Sequence, residues 1–227
     1  MRCGVLVETE RPVRRGDREP VKHLWRKDNE RNVRIYSERV ALHGYDVGAL
    51  GWGSRESQAE RFAVLSEVGK LSGSSVLDVG CGLGDLYAWM RRKRLRVRYT
   101  GLDITPGMVD KARARFPKTQ FRVCDVLDHA QPVAVHDHVL SSGIFTHRGA
   151  SGFEFLEAMV RRMFDLSKQA LAFNCLSGWA EEKERGEYHA DPLQVISLCR
   201  KLTPRVVLRH DYHPRDFTVY LYKAART

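Results

Sequence analysis

The chain has 227 residues, 38 Lys plus Arg against 28 Asp plus Glu, a formal net charge of +10 and 43% hydrophobic content, which suits one globular domain with an appendage and excludes a wholly disordered chain. No apolar run approaches the ~20 residues of a membrane span, and Val5-Leu6-Val7 is too short for a secretory signal core. Five cysteines (Cys3, Cys81, Cys124, Cys175, Cys199), odd in number and without a C-x-x-C pair, argue against a disulfide framework or a metal site and read as reduced cytoplasmic thiols.

Residues 1–20 are rich in Arg, Glu, Pro and Gly and are expected to form a flexible tail. From His23 to Leu42 apolar residues recur at helical spacing among charges, and His43-Gly44 supplies the stop. A glycine-rich aromatic stretch, Tyr45 to Gly53, leads to Ser54, a suitable N-cap for a second helix running to about Val68. Residues 21–70 are thus expected to form a helical cap. From residue 71 to 227, strands and helices alternate. Strands are predicted at Ser75–Val79, Val97–Leu102, Gln120–Cys124, His136–Ser141 and Gln169–Leu176, and helices at Gly84–Arg92, Pro106–Arg115, Gly152–Ser167 and Pro192–Leu202. Short alternation of this kind implies a doubly wound parallel sheet with right-handed crossovers. Arg205–Tyr212 and Phe217–Tyr222, joined by only four residues, should close it as an antiparallel hairpin. The expected fold is therefore α/β: a mostly parallel, seven-stranded, Rossmann-like sheet with an antiparallel C-terminal strand and an N-terminal helical cap.

The most informative stretch is Ser75-Val-Leu-Asp78-Val-Gly80-Cys-Gly82-Leu-Gly84-Asp85. A strand enters a turn with glycine at three alternate positions, and a helix follows, so backbone amides converge where a nucleotide-type ligand can sit. The spacing is G-x-G-x-G, not the G-x-G-x-x-G of dinucleotide sites. Asp85 beside the turn would repel a pyrophosphate and suits a ligand bearing positive charge. Asp103 ends the second strand, where a carboxylate can accept both ribose hydroxyls. Asp125 follows the third strand and can accept from an adenine amino group, with the Val126 amide on a ring nitrogen. The fourth strand ends in Ser141-Ser142-Gly143, small residues that leave room for a reacting group.

These four motifs, in this order and followed by the terminal hairpin, resemble the class I S-adenosylmethionine (SAM)-dependent methyltransferases over about Ser74 to Lys223. The resemblance implies SAM as cosubstrate, with Gly80, Gly82 and Gly84 passing under its methionine part and ribose. It puts Asp78 near the amino group, Asp103 on the ribose, Ile104 and Met108 against the adenine, Asp125 and Val126 at the adenine edge, and Ser142 within the Ser141–Gly143 backbone at the methionyl end. Three later segments, Ser141 to Thr146, Ala172 to Ser177 and Arg209 to Tyr220, are similar to a group of small bacterial methyltransferase-fold proteins.

Further candidates lie before the first strand. Trp52 is a lid aromatic or a packing anchor. Gln58 and Arg61 share a helix face, and the Arg61 guanidinium can fork onto the methionine carboxylate; the competing reading is an ordinary solvent-facing pair. Tyr36, His43, Tyr45 and Asp46 face the pocket if the cap covers it. Asn174 interrupts an apolar strand at its pocket end, Tyr188 and His189 sit in a charged insertion, and His147 can serve as a base, although a lone loop histidine is more often plain polar surface.

The leading expectation is methyl transfer to a small-molecule acceptor. The alternative is a SAM cyclase similar to azetidine-2-carboxylate synthases, in which the SAM amine attacks its own γ-carbon and displaces methylthioadenosine; Asn174, Tyr188 or the Ser141 carbonyl would hold that amine neutral. A third reading, RNA methylation or RNA binding, rests on Arg91 to Arg98, six cations in eight positions, which more simply form a solvated helix end.

Overall fold

The computed structural model describes residues 26–44, 54–147 and 151–224. The expected tail and the candidates Tyr45, Asp46 and Trp52 lie outside these residues.

The elements in chain order are α1 (Arg26–His43), α2 (Arg55–Ser66), β1 (Ser75–Val79), α3 (Asp85–Arg92), β2 (Arg98–Asp103), α4 (Pro106–Arg115), β3 (Gln120–Val123), β4 (His136–Ser141), α5 (Gly152–Asp165), β5 (Ser167–Leu176), α6 (Pro192–Arg200), β6 (Val206–Arg209) and β7 (Asp216–Tyr222). The strands form one sheet in the order β3-β2-β1-β4-β5-β7-β6. β1 through β5 run parallel, and β7 lies antiparallel between β5 and β6. The seven strands, the parallel core and the antiparallel end match the sequence reading. The chain leaves the sheet at Arg209, earlier than Tyr212, because Arg209 bonds Asp211 and His210 Nε2 meets Ser177 Oγ at 2.7 Å instead of extending the ladder.

The central strands are buried on both faces, which is why they read as apolar runs rather than alternating ones. On one face α5 packs through Phe155, Leu156, Met159, Val160 and Met163, and α6 through Val195 and Leu198, in one core with Leu77, Val139 and Leu171. Each such side chain contributes roughly 1.5–3 kcal/mol when fully buried. On the other face α2, α3 and α4 pack through Phe62, Leu65, Met90 and Val109 against Val76, Leu140 and Tyr220. Ser54 caps α2 as expected, its Oγ accepting from Ser57 N at 3.1 Å.

α1 lies apart from both layers. It packs on α4, and its Val40 joins Leu83 and Met108 in a small separate cluster with Tyr36 beside it. No described helix is long and apolar enough to cross a membrane.

Candidate functional site

Four parallel strands end at one edge of the sheet, and a cleft of about 1060 Å³, counting its open mouth, follows that edge. Its floor is the turn after β1. Gly80, Gly82 and Gly84 all have positive φ (+79°, +51° and +77°). The amides of Gly80 and Cys81 both donate to Leu102 O, at 2.8 and 2.9 Å, drawing the turn down onto β2. A Cβ on Gly80 would sit 2.1 Å from Ile144 Cγ2, so the cleft keeps its depth there only with glycine. Gly84 serves the turn from beneath: its Cα face packs on the rings of Phe116 and Phe121, and it does not line the cleft.

Carboxylates from successive strand ends face this space. Asp103 accepts from Gly82 N at 2.9 Å and Thr105 N at 2.8 Å, one amide on each oxygen. A carboxylate oxygen accepts two hydrogen bonds, so each retains capacity for a ligand donor. Burial raises the Asp103 pKa even against those amides. Asp78, 2% exposed, accepts from the Tyr99 hydroxyl. Its pKa is pushed up to about 7, chiefly by burial, with Asp103 and Asp85 adding repulsion and the Tyr99 bond opposing it. Asp125 accepts from Leu127 N at 3.0 Å and from Asn29 Nδ2 at 3.4 Å. Asp85, at the start of α3, pairs with Arg115 at 2.6 Å. The interior is thus acidic, and its buried carboxyls are costly to ionise without a cation nearby.

α1 forms the roof. Asn29, Asn32 and Tyr36 recur at helical spacing on the face toward the cleft. Asn32 Nδ2 donates to His147 O at 3.0 Å, and the Tyr36 and His147 rings lie 6.0 Å apart. α5 supplies an apolar wall with Phe155 and Met159, beside Cys124 and Val126.

Of the residues singled out in the sequence, Gln58, Asp78, Gly80, Gly82, Asp103, Ile104, Met108, Asp125, Val126, Ser142 and His147 line this one cleft. Others do not, and each has a physical reason. Arg61 is buried in an ion pair with Asp216 and donates to Ser57 O at 3.0 Å, so the fork expected to meet a ligand carboxylate is closed on β7. Ser141 Oγ donates to Val79 O at 2.8 Å, tying β4 to β1. Asn174 accepts from Gly143 N and donates to Ser142 Oγ, both at 3.0 Å; it shapes the loop that lines the cleft and stays behind it. Tyr188 donates its backbone N–H to Thr146 O at 2.7 Å, its ring packs on Gly152, and burial pushes its hydroxyl up to about 12. His189 is held by Ser177 O and Glu187.

Asn29, Asn32, Phe155 and Met159 were not anticipated. The only signal for the first two is their spacing with Tyr36 on an otherwise charged helix; the α5 pair is indistinguishable from core by sequence.

Residues 76–169 match the family model for a methyltransferase domain. A protein of Mycobacterium tuberculosis named as a methyltransferase, Rv1506c, is 31% identical over 158 residues, covering 66% of this chain and 94% of that protein. Trans-aconitate 2-methyltransferase of Escherichia coli is 34% identical over 67 residues, 30% of this chain and 26% of the enzyme. Among solved structures, magnesium protoporphyrin IX methyltransferase of Synechocystis, with bound SAH, shares the fold at TM-score 0.60 and 16% identity, covering 87% of this chain and 100% of that one.

Proposed function

The chain belongs to the class I SAM-dependent methyltransferase superfamily, and from that premise we propose that it transfers a methyl group from SAM to a small-molecule acceptor. The observation that carries this reading is the convergence of Asp78, Asp103 and Asp125, from three strand ends, on one cleft floored by the glycine turn. The donor set fits the cosubstrate: buried carboxyls suit a ligand with an ammonium, a sulfonium and hydroxyl donors.

When bound, SAM supplies an electrophilic methyl group. The chain's own residues do the rest. Asp103 accepts from the ribose hydroxyls with its remaining lone pairs. Asp125 and the Val126 amide hold the adenine edge, with Ile104 and Met108 against the ring. Asp78 takes the ammonium, which offsets the cost of its own ionisation. The Ser142-Gly143 backbone, held by Asn174, faces the methionyl end. Alignment and exclusion of water do most of the catalytic work in such a displacement, and the α1 roof with the α5 wall supplies the enclosure. His147 lines the cleft and would take a proton from an acceptor that needs one removed.

Of the amine holders named for the cyclase reading, the Asn174 carboxamide is committed to Ser142 and Gly143, which leaves that reading the Tyr188 hydroxyl and the Ser141 carbonyl. The RNA reading retains only the exposed cations of Arg91 to Arg98, one of which, Arg98, pairs with Asp137.

Incubation with SAM alone, followed by mass spectrometry, separates the first two. SAM left intact, with S-adenosylhomocysteine (SAH) released only when small nucleophiles are added, supports methyl transfer. Methylthioadenosine with azetidine-2-carboxylate overturns it in favour of the cyclase.

A further inference from the structure

Arg61 being closed on Asp216 leaves open where this protein meets an anion, and a second trough answers it. This trough shares Gln58, Phe62 and Asp85 with the main cleft and continues outward past Arg55, Arg92 and Arg115. Three guanidiniums against the single carboxylate of Asp85 leave two positive charges in excess. Arg115 is partnered by Asp85 and also donates to Leu83 O at 3.3 Å. Arg55 and Arg92 have no carboxylate partner among the described residues.

The junction carries an independent sign of a ligand. Gln58 is 6% exposed, yet its side-chain carboxamide makes no hydrogen bond. Its amide atoms are not sealed from solvent but open onto the two spaces it lines, so they are free to bond a group seated there. Gln58 borders both spaces, so its open donors and acceptor address whatever lies across the junction. Phe62 supplies an apolar wall beside it.

The geometry points to an anion-binding subsite at this junction, in which Arg55 and Arg92 hold a carboxylate or phosphate group and Gln58 orients it. Guanidinium is the side chain best matched to such planar, bidentate recognition. The group can come from the amino-acid end of the proposed cosubstrate or from a second molecule.

Calorimetric titration of the full chain and of the Arg55→Gln/Arg92→Gln variant, with SAH, methylthioadenosine and inorganic phosphate as probes, tests this. Both positions are exposed, so the variant should keep the wild-type melting temperature. A loss of roughly tenfold or more in SAH affinity, with methylthioadenosine unchanged, establishes the subsite and assigns it to the cosubstrate's carboxylate. Phosphate binding by the wild type that weakens with salt and disappears in the variant, with SAH unaffected, establishes it for a second anion. Unchanged affinities for SAH and phosphate, or equal losses for SAH and methylthioadenosine, overturn it. Failure of the wild type to bind SAH would instead remove the proposed function, and the phosphate titration would still decide the subsite.

Discussion

Replacing Asp78 with Asn should invert the usual expectation that mutating an acidic residue in a binding cleft weakens the fold. Asp78 is buried beside Tyr99, with Asp103 and Asp85 as like charges, and its pKa lies near 7 against the usual 3.8. A carboxyl whose folded pKa is raised binds its proton more tightly in the native state. Between about pH 4 and pH 7 the unfolded chain has lost a proton that the native chain keeps, so this group's contribution to stability falls as pH rises and its full cost is present above about pH 7. A difference of about 3 pH units, at 1.36 kcal/mol each, makes that cost about 4 kcal/mol. Asn cannot ionise, and its carbonyl can still accept from Tyr99. Asp78→Asn should therefore be more stable than wild type at pH 8 by up to about 4 kcal/mol, with the difference shrinking to little near pH 4. Asp103, also raised, titrates in both proteins, and its repulsion with Asp78 is relieved in the variant and forms part of the difference. Urea unfolding at pH 4, 5, 6, 7 and 8 reads this directly from midpoints and slopes. Parallel stability curves for the two proteins would refute both the buried charge and its assigned cost. A cationic ligand reverses the sign, so wild-type SAH affinity should rise between pH 6 and pH 8 and the variant's should stay flat.

Asp103→Ala removes the acceptor for Gly82 N and Thr105 N as well as for a ribose, so SAH affinity should fall by roughly a hundredfold, with some loss of stability; calorimetry showing wild-type affinity would sink the assignment. Gly80→Ala must hold φ near +79° and displace Ile144, which should cost about 1–3 kcal/mol in chemical denaturation and shallow the cleft; an unchanged urea midpoint would contradict this. Arg61→Met leaves the buried Asp216 carboxylate with His213 as its remaining charge partner and should lower the melting temperature by roughly 10 °C, while Arg61→Met/Asp216→Leu should recover much of the loss; a double variant no better than the single one would show that the pair's charges are not what matters.

What was readable in the sequence was the part whose cause is local. Gly80, Gly82, Asp103 and Asp125 follow the ends of strands, and position relative to a strand end is itself a statement about the cleft. The roles of Arg61 and Asn174 depend on partners that local reasoning does not see. Arg61 meets Asp216 across 155 positions, and Asn174 reaches back 32 to Ser142. A polar residue in an apolar run announces that it has a partner without saying which. The same holds for Asn32, whose place over the cleft is set by α1 lying on α4 and by nothing in the neighbouring residues.

The attachment of α1 bears on how quickly a ligand comes and goes. Among its described side chains only Asn32 and Val40 are buried, and its hydrogen bonds to the body across the cleft include those to Asp125, His147 and Ser151. Lifting the helix exposes little apolar surface, and withdrawing Val40 costs about 2 kcal/mol. The helix should therefore open far more often than the sheet beneath it unfolds. Its amides should exchange with solvent well before those of β1 and β4, and ligand residence time should follow that opening rate, shortening when Val40 is trimmed to Ala.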